Sequence, residues 1–355
     1  MDTVPEMMEV LRDNRLLPPD QMDELTGERL ASFPDARALA KYLMQRGWLS
    51  VYQVNQLLQG AGAELALGPY RILDRVGQGG VSQVFKAWDM RQRCVVALKV
   101  IREEHLSNPE AVGRFQREMQ AVAQLSHPNI VKAFDPDRDS HRHFFAMEYV
   151  HGTDLGKLVQ LSGPRPVGQA CDFARQAALG LQHAHERGLV HRDIKPGNLL
   201  LTVGESVVKI LDLGLARLLP ASGPPEAAKT LTQEGTMIGT PDYLAPEQAR
   251  SPHTADNRAD IYSLGCTLYY LLTGQPPFPV RSLMEKLLKH QQEEPAPVTA
   301  LRPDVPAGLA AVLKKMMAKR PQERYPTAAE VAQALTPYAA SRGAPASGIP
   351  PASRP

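Results

Sequence analysis

Cysteine is scarce in this sequence, with only Cys94, Cys171 and Cys266 among its 355 residues. The three lie far apart, which excludes the close pairs of a zinc site and the cysteine framework of a small secreted domain. We expect buried, reduced thiols. The sequence also lacks an apolar run of about 18 residues, and no basic segment leads into an apolar stretch near its start. These absences predict a soluble, cytoplasmic protein with no membrane segment.

An excess of charge of one sign is also absent, because 40 lysines and arginines stand against 38 aspartates and glutamates. The resulting net charge of +2 offers no general attraction to nucleic acid or to an anionic membrane. We therefore expect no nucleic-acid partner. The length exceeds that of one average domain. Residues 339–355 are so rich in Ala, Pro and Ser that we expect a disordered tail there.

Residues 1–66 have the pattern of a small all-α N-terminal module. Apolar residues recur at helical spacing, and Ser50 suits the N-cap of the last helix. A weak internal echo relates the segment that begins at Leu17 to the segment that begins at Leu49. Residues 60–63, Gly-Ala-Gly-Ala, predict a flexible joint. The module is either a regulatory or docking unit or a cap on the next domain.

The remainder of the chain changes character near residue 150. Residues 70–150 alternate short β-type runs with one helical stretch, whereas residues 151–338 are mainly helical. This asymmetry predicts an α+β fold with a small sheet-rich lobe and a larger helical lobe, in a domain that spans residues 67–338.

A glycine-rich segment lies between two of the strand-like runs. Closely spaced glycines let backbone amides approach phosphate oxygens with no side chain in the way. On its own, the pattern is a weak signal, and a simple hairpin turn is the alternative. The segment and its flanks comprise Val76, Gly77, Gln78, Gly79, Gly80, Val81, Ser82, Gln83 and Val84.

Lys99 ends the apolar run Val-Ala-Leu-Lys and requires an anionic partner, since burying an unpaired ammonium group is costly. Phosphates and a carboxylate are its natural partners, and Glu118 on the following helical run is the candidate carboxylate. The alternatives are a lysine at a strand edge whose ammonium reaches solvent and a glutamate on a solvated helix face.

The run at 191–198, His-Arg-Asp-Ile-Lys-Pro-Gly-Asn, has the spacing of a phosphoryl-transfer loop, and Asp212 follows it in Asp-Leu-Gly. With the glycine segment and Lys99 upstream, the motifs occur in the order found in kinases. Over residues 70–338 the chain resembles the eukaryotic-like serine/threonine protein kinases of bacteria. The resemblance implies the bilobal protein kinase fold, with a small antiparallel sheet lobe that carries helix C.

The resemblance also implies the chemistry, which is transfer of a phosphoryl group from Mg-ATP, with Mn²⁺ as an alternative metal. Asp193 would be the catalytic base, and Lys195 would neutralise charge on the transferred phosphate. Asn198 and Asp212 would hold the metal. Lys99 would pair with Glu118 and the ATP phosphates.

The ATP pocket is implied by the same resemblance. The family has a third glycine where Ser82 stands here, which puts the loop's flexibility in doubt, and a phenylalanine where Leu213 follows Asp212. Met147 matches the gatekeeper. The remaining matches are Glu148 and Val150 at the adenine, Asp154 near the ribose, and Val84, Ala97 and Leu200 around the purine.

Lys195 and the Gly-Thr-Pro run at 239–241 have the serine/threonine form of the family, so we expect protein substrates with serine or threonine acceptors. Thr240 would contact the catalytic aspartate. Glu247 would pair with Arg324, and Asp260 would brace the catalytic loop. These last residues would be structural.

A Pro/Gly/Ala-rich stretch before Glu247 resembles an activation loop, and Thr230, Thr232 and Thr236 are its phosphorylation candidates. Thr232 is the first choice, because the resemblance matches it to the first of two threonines that related bacterial kinases phosphorylate. Arg192 could receive its phosphate. The alternative is that these threonines are only turn residues. Autophosphorylation between two copies would involve a homodimer.

The predicted activity is that of a non-specific serine/threonine protein kinase. One alternative is a pseudokinase, a signalling scaffold that binds ATP without transferring phosphate. Retention of Lys99, Asp193, Asn198 and Asp212 disfavours it. A small-molecule kinase is a second alternative, and the Ala-Pro-Glu run at 245–247 disfavours it because that region serves protein substrates.

Overall fold

The computed structural model describes residues 2–79, 82–102, 109–139, 142–213, 241–250 and 255–339. Several sequence predictions lie outside these residues: Gly80, Val81, Thr230, Thr232, Thr236, Thr240 and the predicted tail from residue 340 onward. The described chain divides into two compact units. The small unit contains the residues up to Pro109 and Phe134–Tyr149, and the large unit contains Glu110–Ala133 and the residues from Val150 onward.

The N-terminal residues form short helices with ordinary capping chemistry. Thr3, Asp35 and Ser50 each accept a hydrogen bond from a backbone N–H of the first helical turn. Gln53 returns the bond to the backbone of Ser50, so the predicted N-cap is confirmed as a capping box. The helices are α1 (Val4–Asp13), α2 (Pro19–Glu24), α3 (Gly27–Ala31), α4 (Ala36–Gln45) and α5 (Val51–Leu58), followed by a 3₁₀ turn at Gly62–Leu65.

The internal echo of the sequence is a structural repeat, in which α1 and α2 correspond to α4 and α5. Arg15 and Gly47 follow the first helix of each copy in the left-handed conformation, with φ of 48° and 67°. Two apolar residues then lead into the second helix. Its third residue is a glutamine in both copies, Gln21 in α2 and Gln53 in α5.

An antiparallel sheet comes after the helices. Its strands are β1 (Ala66–Leu67), β2 (Tyr70–Gln78), β3 (Ser82–Asp89), β4 (Cys94–Ile101), β5 (Ala133–Asp139) and β6 (Arg142–Glu148). In the described residues their order is β1-β2-β3-β4-β6-β5. The α+β class predicted from the sequence is confirmed.

The N-terminal helices cover one face of this sheet. Leu98 is paired with Phe85 in β3 and with Ala146 in β6, so the three side chains lie on the same face, which we call the back face. They belong to the same cluster of buried side chains as Leu11 of α1 and Leu57 of α5. The helices and the sheet therefore share one hydrophobic core.

The predicted flexible joint at residues 60–63 is wrong. Gly62 starts the 3₁₀ turn and is buried. A Cβ atom at this position would overlap the side chain of Val10 and lie 2.8 Å from that of Leu57, so only glycine lets the turn pack this closely. The pattern Gly-Ala-Gly-Ala reflects close packing here.

The large unit is mainly helical. A three-stranded sheet in the described residues has the order β7-β8-β9, and no helix there is long and apolar enough to span a membrane. Its strands are β7 (Gly152–Asp154), β8 (Leu199–Thr202) and β9 (Val208–Ile210). The helices from residue 109 onward are α6 (Pro109–Ala123), α7 (Leu155–Ser162), α8 (Val167–His185), α9 (Pro246–Arg250), α10 (Asn257–Thr273), α11 (Leu283–Gln292), α12 (Val298–Leu301), α13 (Ala307–Met316) and α14 (Ala328–Leu335).

The cysteines are free thiols, as predicted, although only two of them are fully buried. Burial raises the pKa of Cys171 and of Cys266 to about 12, so both thiols stay protonated at neutral pH. Cys94, at the start of β4, is half-buried.

Asp260 in the buried helix α10 fixes the start of the loop at 191–198. Its carboxylate accepts the backbone N–H of His191 at 2.9 Å and of Arg192 at 2.7 Å. Nε2 of His185 lies 2.8 Å from the same carboxylate. Burial alone would raise the pKa of Asp260, but the bond from His185 and the nearby histidine and amide groups hold it below its usual value.

The two tryptophans test whether helices and sheet form one cooperative core, because Trp48 follows α4 and Trp88 lies in β3. Leu57→Ala should lower the free energy of unfolding by about 2–5 kcal/mol, since it removes a fully buried side chain from the shared core. In Trp48→Phe and Trp88→Phe backgrounds, both remaining fluorophores should report the same shift in urea unfolding. Val51→Ala, at a position 61% exposed on the same helix, is the control and should shift neither. An unchanged Trp88 transition in Leu57→Ala would contradict a shared core.

Asp260→Asn should cost about 2–5 kcal/mol at neutral pH, because it removes a buried charge that accepts three hydrogen bonds. The folded pKa lies below the unfolded value of about 3.9, so the contribution is complete above that pH and is lost as pH falls. The difference from wild type in urea unfolding should therefore shrink below about pH 4. Asp304→Asn, which removes an exposed carboxylate on the same type of residue, is the control and should leave the urea unfolding midpoint nearly unchanged. If the difference in free energy of unfolding between wild type and Asp260→Asn did not vary with pH, Asp260 would not be a charged carboxylate in the folded protein.

Candidate active site

The loop at 191–198 brings its acid, base and amide together. Nζ of Lys195 lies 2.8 Å from Oδ2 of Asp193. Nδ2 of Asn198 donates to the same oxygen at 3.0 Å and to the backbone carbonyl of Asp193 at 2.8 Å. Among the described residues no donor lies on Oδ1 of Asp193, and the side chain is 34% exposed. This oxygen can therefore accept a proton from a molecule that enters from solvent.

His191 joins the loop to the segment that carries Asp212. The backbone N–H of Asp193 donates to Nδ1 of His191 at 3.2 Å, and Nε2 lies 2.7 Å from the carbonyl of Leu211. An acceptor at Nδ1 and a carbonyl at Nε2 define the Nε2–H tautomer of the ring. The ring thereby holds the residue before Asp212 against the loop.

A second bond ties Asn198 to the same segment, since the backbone N–H of Leu211 donates to the carbonyl of Asn198 at 2.9 Å. Asn198 and Asp212, the two predicted metal ligands, are thus held near each other through the backbone. Leu213, which replaces the family's phenylalanine, is buried.

Two residues of this site have left-handed backbone conformations that side chains other than glycine rarely adopt. Arg192 has φ of 66° and Asp212 has φ of 62°. Each costs of order 1–3 kcal/mol and persists only where surrounding contacts enforce it. For Arg192 the contacts are Asp260 on its N–H and Nε2 of Gln248 on its carbonyl at 2.8 Å. The strain is stored where the chemistry is expected.

Glu247 and Arg324 meet, as the sequence predicted. Arg324 donates to both carboxylate oxygens of Glu247, at 2.6 and 2.8 Å, and its side chain is fully buried. Its remaining donors go to the backbone carbonyls of Arg258, Ala318 and Lys319. All five guanidinium N–H groups therefore have acceptors, which makes the buried charge tolerable. The pair anchors α9.

Strand register gathers the predicted ATP-binding residues of the small unit on the face opposite the back face. Lys99 is paired with Val84 of β3, and Ala97 is paired with Met147 of β6. Lys99 and Ala97 are two residues apart on β4, so all four side chains lie on this face. Lys99 is 5% exposed.

The glycine segment continues from the β2–β3 pair toward its turn. Gly77 is paired with Val84, and Gln78 with Gln83. The backbone N–H of Gly79 donates to the carbonyl of Ser82 at 2.8 Å. Val76 lies at a register shift in β2 and is 53% exposed.

The predicted hinge residues lie at the end of β6 and directly after it. Glu148 ends β6 opposite Val96, and Val150 comes next in the large unit, half-buried. In the large unit, Asp154 on β7 is paired with Leu200 on β8. Asp154 also caps α7, since it accepts the backbone N–H of Lys157 at 2.8 Å. The sequence did not predict that capping role.

Glu118 lies on α6, half-buried, in the large unit, whereas Lys99 belongs to the small unit. Their pairing stays a prediction. His185 and Gln248, which hold the loop at 191–198, were missed from the sequence. Gln248 directly follows the Ala-Pro-Glu run, but nothing in the sequence marks its amide as a partner of Arg192. His185 shows only as a histidine at a helix end.

Comparison with known proteins agrees with these motifs. The family model for the protein kinase domain matches residues 70–336. Serine/threonine-protein kinase PknB of Mycobacterium leprae is 39% identical over 266 residues, which cover 74% of this chain and 42% of that protein. The probable serine/threonine-protein kinase CE0033 of Corynebacterium efficiens is 40% identical over 286 residues, covering 78% of this chain and 42% of that protein. The chain thus spans less than half the length of these relatives.

Solved structures agree as well. The crystal structure of the PknI kinase domain of Mycobacterium tuberculosis has a TM-score of 0.60 at 28% identity, and covers 77% of this chain and 98% of that one. The family match, the relatives and the solved structure each cover about three quarters of this chain. The chain belongs to the protein kinase family, and within it resembles the bacterial serine/threonine kinases.

Proposed function

We propose that this protein transfers the γ-phosphoryl group of ATP to serine and threonine hydroxyls of proteins. The observation that carries the proposal is the arrangement around Asp193. Lys195 and Asn198 hold one carboxylate oxygen, and the other is left to accept a proton. Kinship with serine/threonine kinases supports the acceptor class.

The proposed chemical step is consistent with this geometry. The substrate hydroxyl oxygen attacks the γ-phosphorus, the bond to the β–γ bridging oxygen breaks, and ADP leaves. Asp193 accepts the hydroxyl proton at Oδ1 as the new bond forms. Lys195, held beside Asp193, neutralises charge on the phosphoryl oxygens. Transfer then depends on positioning and electrostatics, with no covalent enzyme intermediate.

The residues present fit a divalent metal ion. Both amide hydrogens of Asn198 are used on Asp193, so its Oδ1 is oriented away from that residue. That oxygen and the carboxylate of Asp212 are hard ligands of the kind Mg²⁺ prefers, and Mn²⁺ accepts the same set. We assign both residues to this role. When bound, the metal would neutralise charge on the ATP phosphates.

The proposal also assigns residues of the small unit to ATP binding. We assign the glycine segment, with Ser82 in place of its third glycine, to the phosphates. Lys99 would pair with phosphate and with Glu118. Ala97, Val84 and Leu200 would enclose the purine, and Met147, Glu148 and Val150 would form the hinge. Asp154 would lie near the ribose.

A pseudokinase is the second candidate. It would retain the fold and ATP binding without transfer. The arrangement of Lys195 and Asn198 on Asp193 argues against it, since a scaffold has no need of a proton acceptor held in this way. Phosphate transfer decides between the two.

Regulation by autophosphorylation is part of the proposal. Arg192 adjoins the catalytic aspartate, and its Nη2 lies 3.2 Å from the carbonyl of Ala255. A phosphate on Thr232 would offer a stronger, charged acceptor to this guanidinium. Transfer between two copies would require an encounter of homodimer type.

Asp193→Asn should lower the rate of phosphate transfer by about 10²–10⁴-fold, because an amide cannot accept the hydroxyl proton. Radiolabel transfer from ATP to a generic basic protein substrate measures the rate. Asp193→Asn should still bind Mg-ADP, as measured by isothermal titration calorimetry. Asp20→Asn, an exposed carboxylate on α2, serves as the matched control and should transfer at the wild-type rate. Equal rates in wild type and Asp193→Asn would exclude the assignment.

Thr232→Ala should reduce transfer after preincubation with Mg-ATP, since the phosphate that would engage Arg192 cannot form. Phosphosite mapping by mass spectrometry should find phospho-Thr232 in wild type and none in the Asp193→Asn protein. Thr230→Ala and Thr236→Ala compare the two neighbouring candidates. Full activity of Thr232→Ala would remove the basis of this regulatory proposal.

A further inference from the structure

The outer edge of β2 is covered by a helix, where a neighbouring strand would otherwise be required. β1 spans two residues and is paired only with Tyr70 and Arg71. From Ile72 onward, β2 has β3 on one side and no strand on the other among the described residues. An edge of this kind leaves backbone carbonyls in need of donors. α5 lies along it.

The donors come from the side chains of Gln53 in α5 and of Ser50, its N-cap residue. Nε2 of Gln53 donates to the carbonyl of Ile72 at 2.9 Å, and the hydroxyl of Ser50 donates to the carbonyl of Leu73. Gln53 is 3% exposed, so its bond is shielded from water. Its Oε1 accepts the backbone N–H of Ser50 at 2.8 Å. One buried amide therefore joins the start of α5 to the edge of β2.

These contacts coincide with an irregularity of the strand. The register of β2 against β3 shifts between Ile72 and Asp74, so Leu73 is the extra residue of a bulge. A bulge bends a strand and increases its twist, and it thereby redirects the residues beyond it. The glycine segment begins a few residues beyond this bulge, at Gly77. The direction of that segment therefore depends on how the bulge is held.

The internal repeat shows that this use of the glutamine is specific to α5. Gln21 occupies the corresponding position of α2 and is only half-buried. Within the described residues it makes no hydrogen bond through its side chain. The helical repeat alone does not require the amide, whereas contact with the strand does.

We infer that Gln53 and Ser50 are positioning residues for ATP binding. They act by fixing the bulge at Leu73 in β2, and hence the direction of the glycine segment. This inference rests on the proposed function, because it takes the glycine segment to bind the ATP phosphates. Neither residue is expected to touch the nucleotide. Asp193, Lys195 and Asn198 belong to the other unit, so loss of the tie should weaken ATP binding more than transfer itself.

Gln53→Glu is the sharpest test. The carboxylate keeps the shape of the side chain and the acceptor for the N–H of Ser50, but loses the donor to Ile72. We expect KM for ATP to rise about three- to tenfold, in line with one lost buried hydrogen bond, with kcat within about twofold of wild type. Gln21→Glu is the matched control from the other copy of the repeat. It should leave both constants unchanged.

Ser50 provides a second test should Gln53→Glu fold poorly. Ser50→Thr keeps the hydroxyl and should behave as wild type, whereas Ser50→Ala removes the donor to Leu73 and should raise KM for ATP. Thermal unfolding is measured beside the kinetics. A lowered Tm in Gln53→Glu and Ser50→Ala with unchanged KM would overturn the inference, because the tie would then be structural only. An equal rise in Gln21→Glu would also overturn it.

Failure of the inference can be told apart from failure of the proposed function. If wild type neither binds Mg-ADP by calorimetry nor transfers phosphate, the proposed function fails and the inference fails with it. If wild type does both and Gln53→Glu has the wild-type KM, only the inference fails.

Discussion

The geometry of the candidate site depends on one buried carboxylate. Asp260 accepts two consecutive backbone N–H groups, from His191 and Arg192, and a third bond from His185. Its burial would favour the neutral acid, but these donors hold its pKa low and keep it charged. Because it grips backbone, it dictates where the loop begins and which conformation Arg192 must adopt. The left-handed φ of 66° at Arg192 is the visible result.

A few hydrogen bonds, most of them to backbone atoms, connect this fixed start of the loop to Asp193, Asn198 and Asp212. Asp193 is oriented through His191, whose ring also holds the carbonyl of Leu211 at 2.7 Å. Leu211 in turn donates to Asn198, so the two segments that carry the predicted metal ligands are joined twice. Bonds to backbone leave little rotamer freedom, which is what a preorganised site requires. A displacement of Asp260 would therefore reach Asp193, Asn198 and the segment that carries Asp212.

Sequence patterns predicted which loop residues lie together better than they predicted the contacts that hold the loop. The spacing of Asp193, Lys195 and Asn198 was sufficient to predict that they lie together, because residues within one short loop are close in space. Asp260 was recognised from a family motif, but His185 was not, since its contact with Asp260 joins residues 75 positions apart and has no local pattern. The joint expected at residues 60–63 failed for a related reason. Small residues predict flexibility only when nothing packs against them, and Val10 and Leu57 do so at Gly62.

The N-terminal helices and the sheet share a core because of how side chains alternate along a strand. Side chains alternate along a strand, so placing Ala97 and Lys99 on one face obliges Leu98 to lie on the other. The back face is apolar and must be buried against other elements of the fold. In this chain the back face is covered by α1, α4 and α5, whose buried side chains join Leu98 and Phe85 in one cluster. Covering that face is a requirement of the small unit itself, and any docking role of these helices would be added to it.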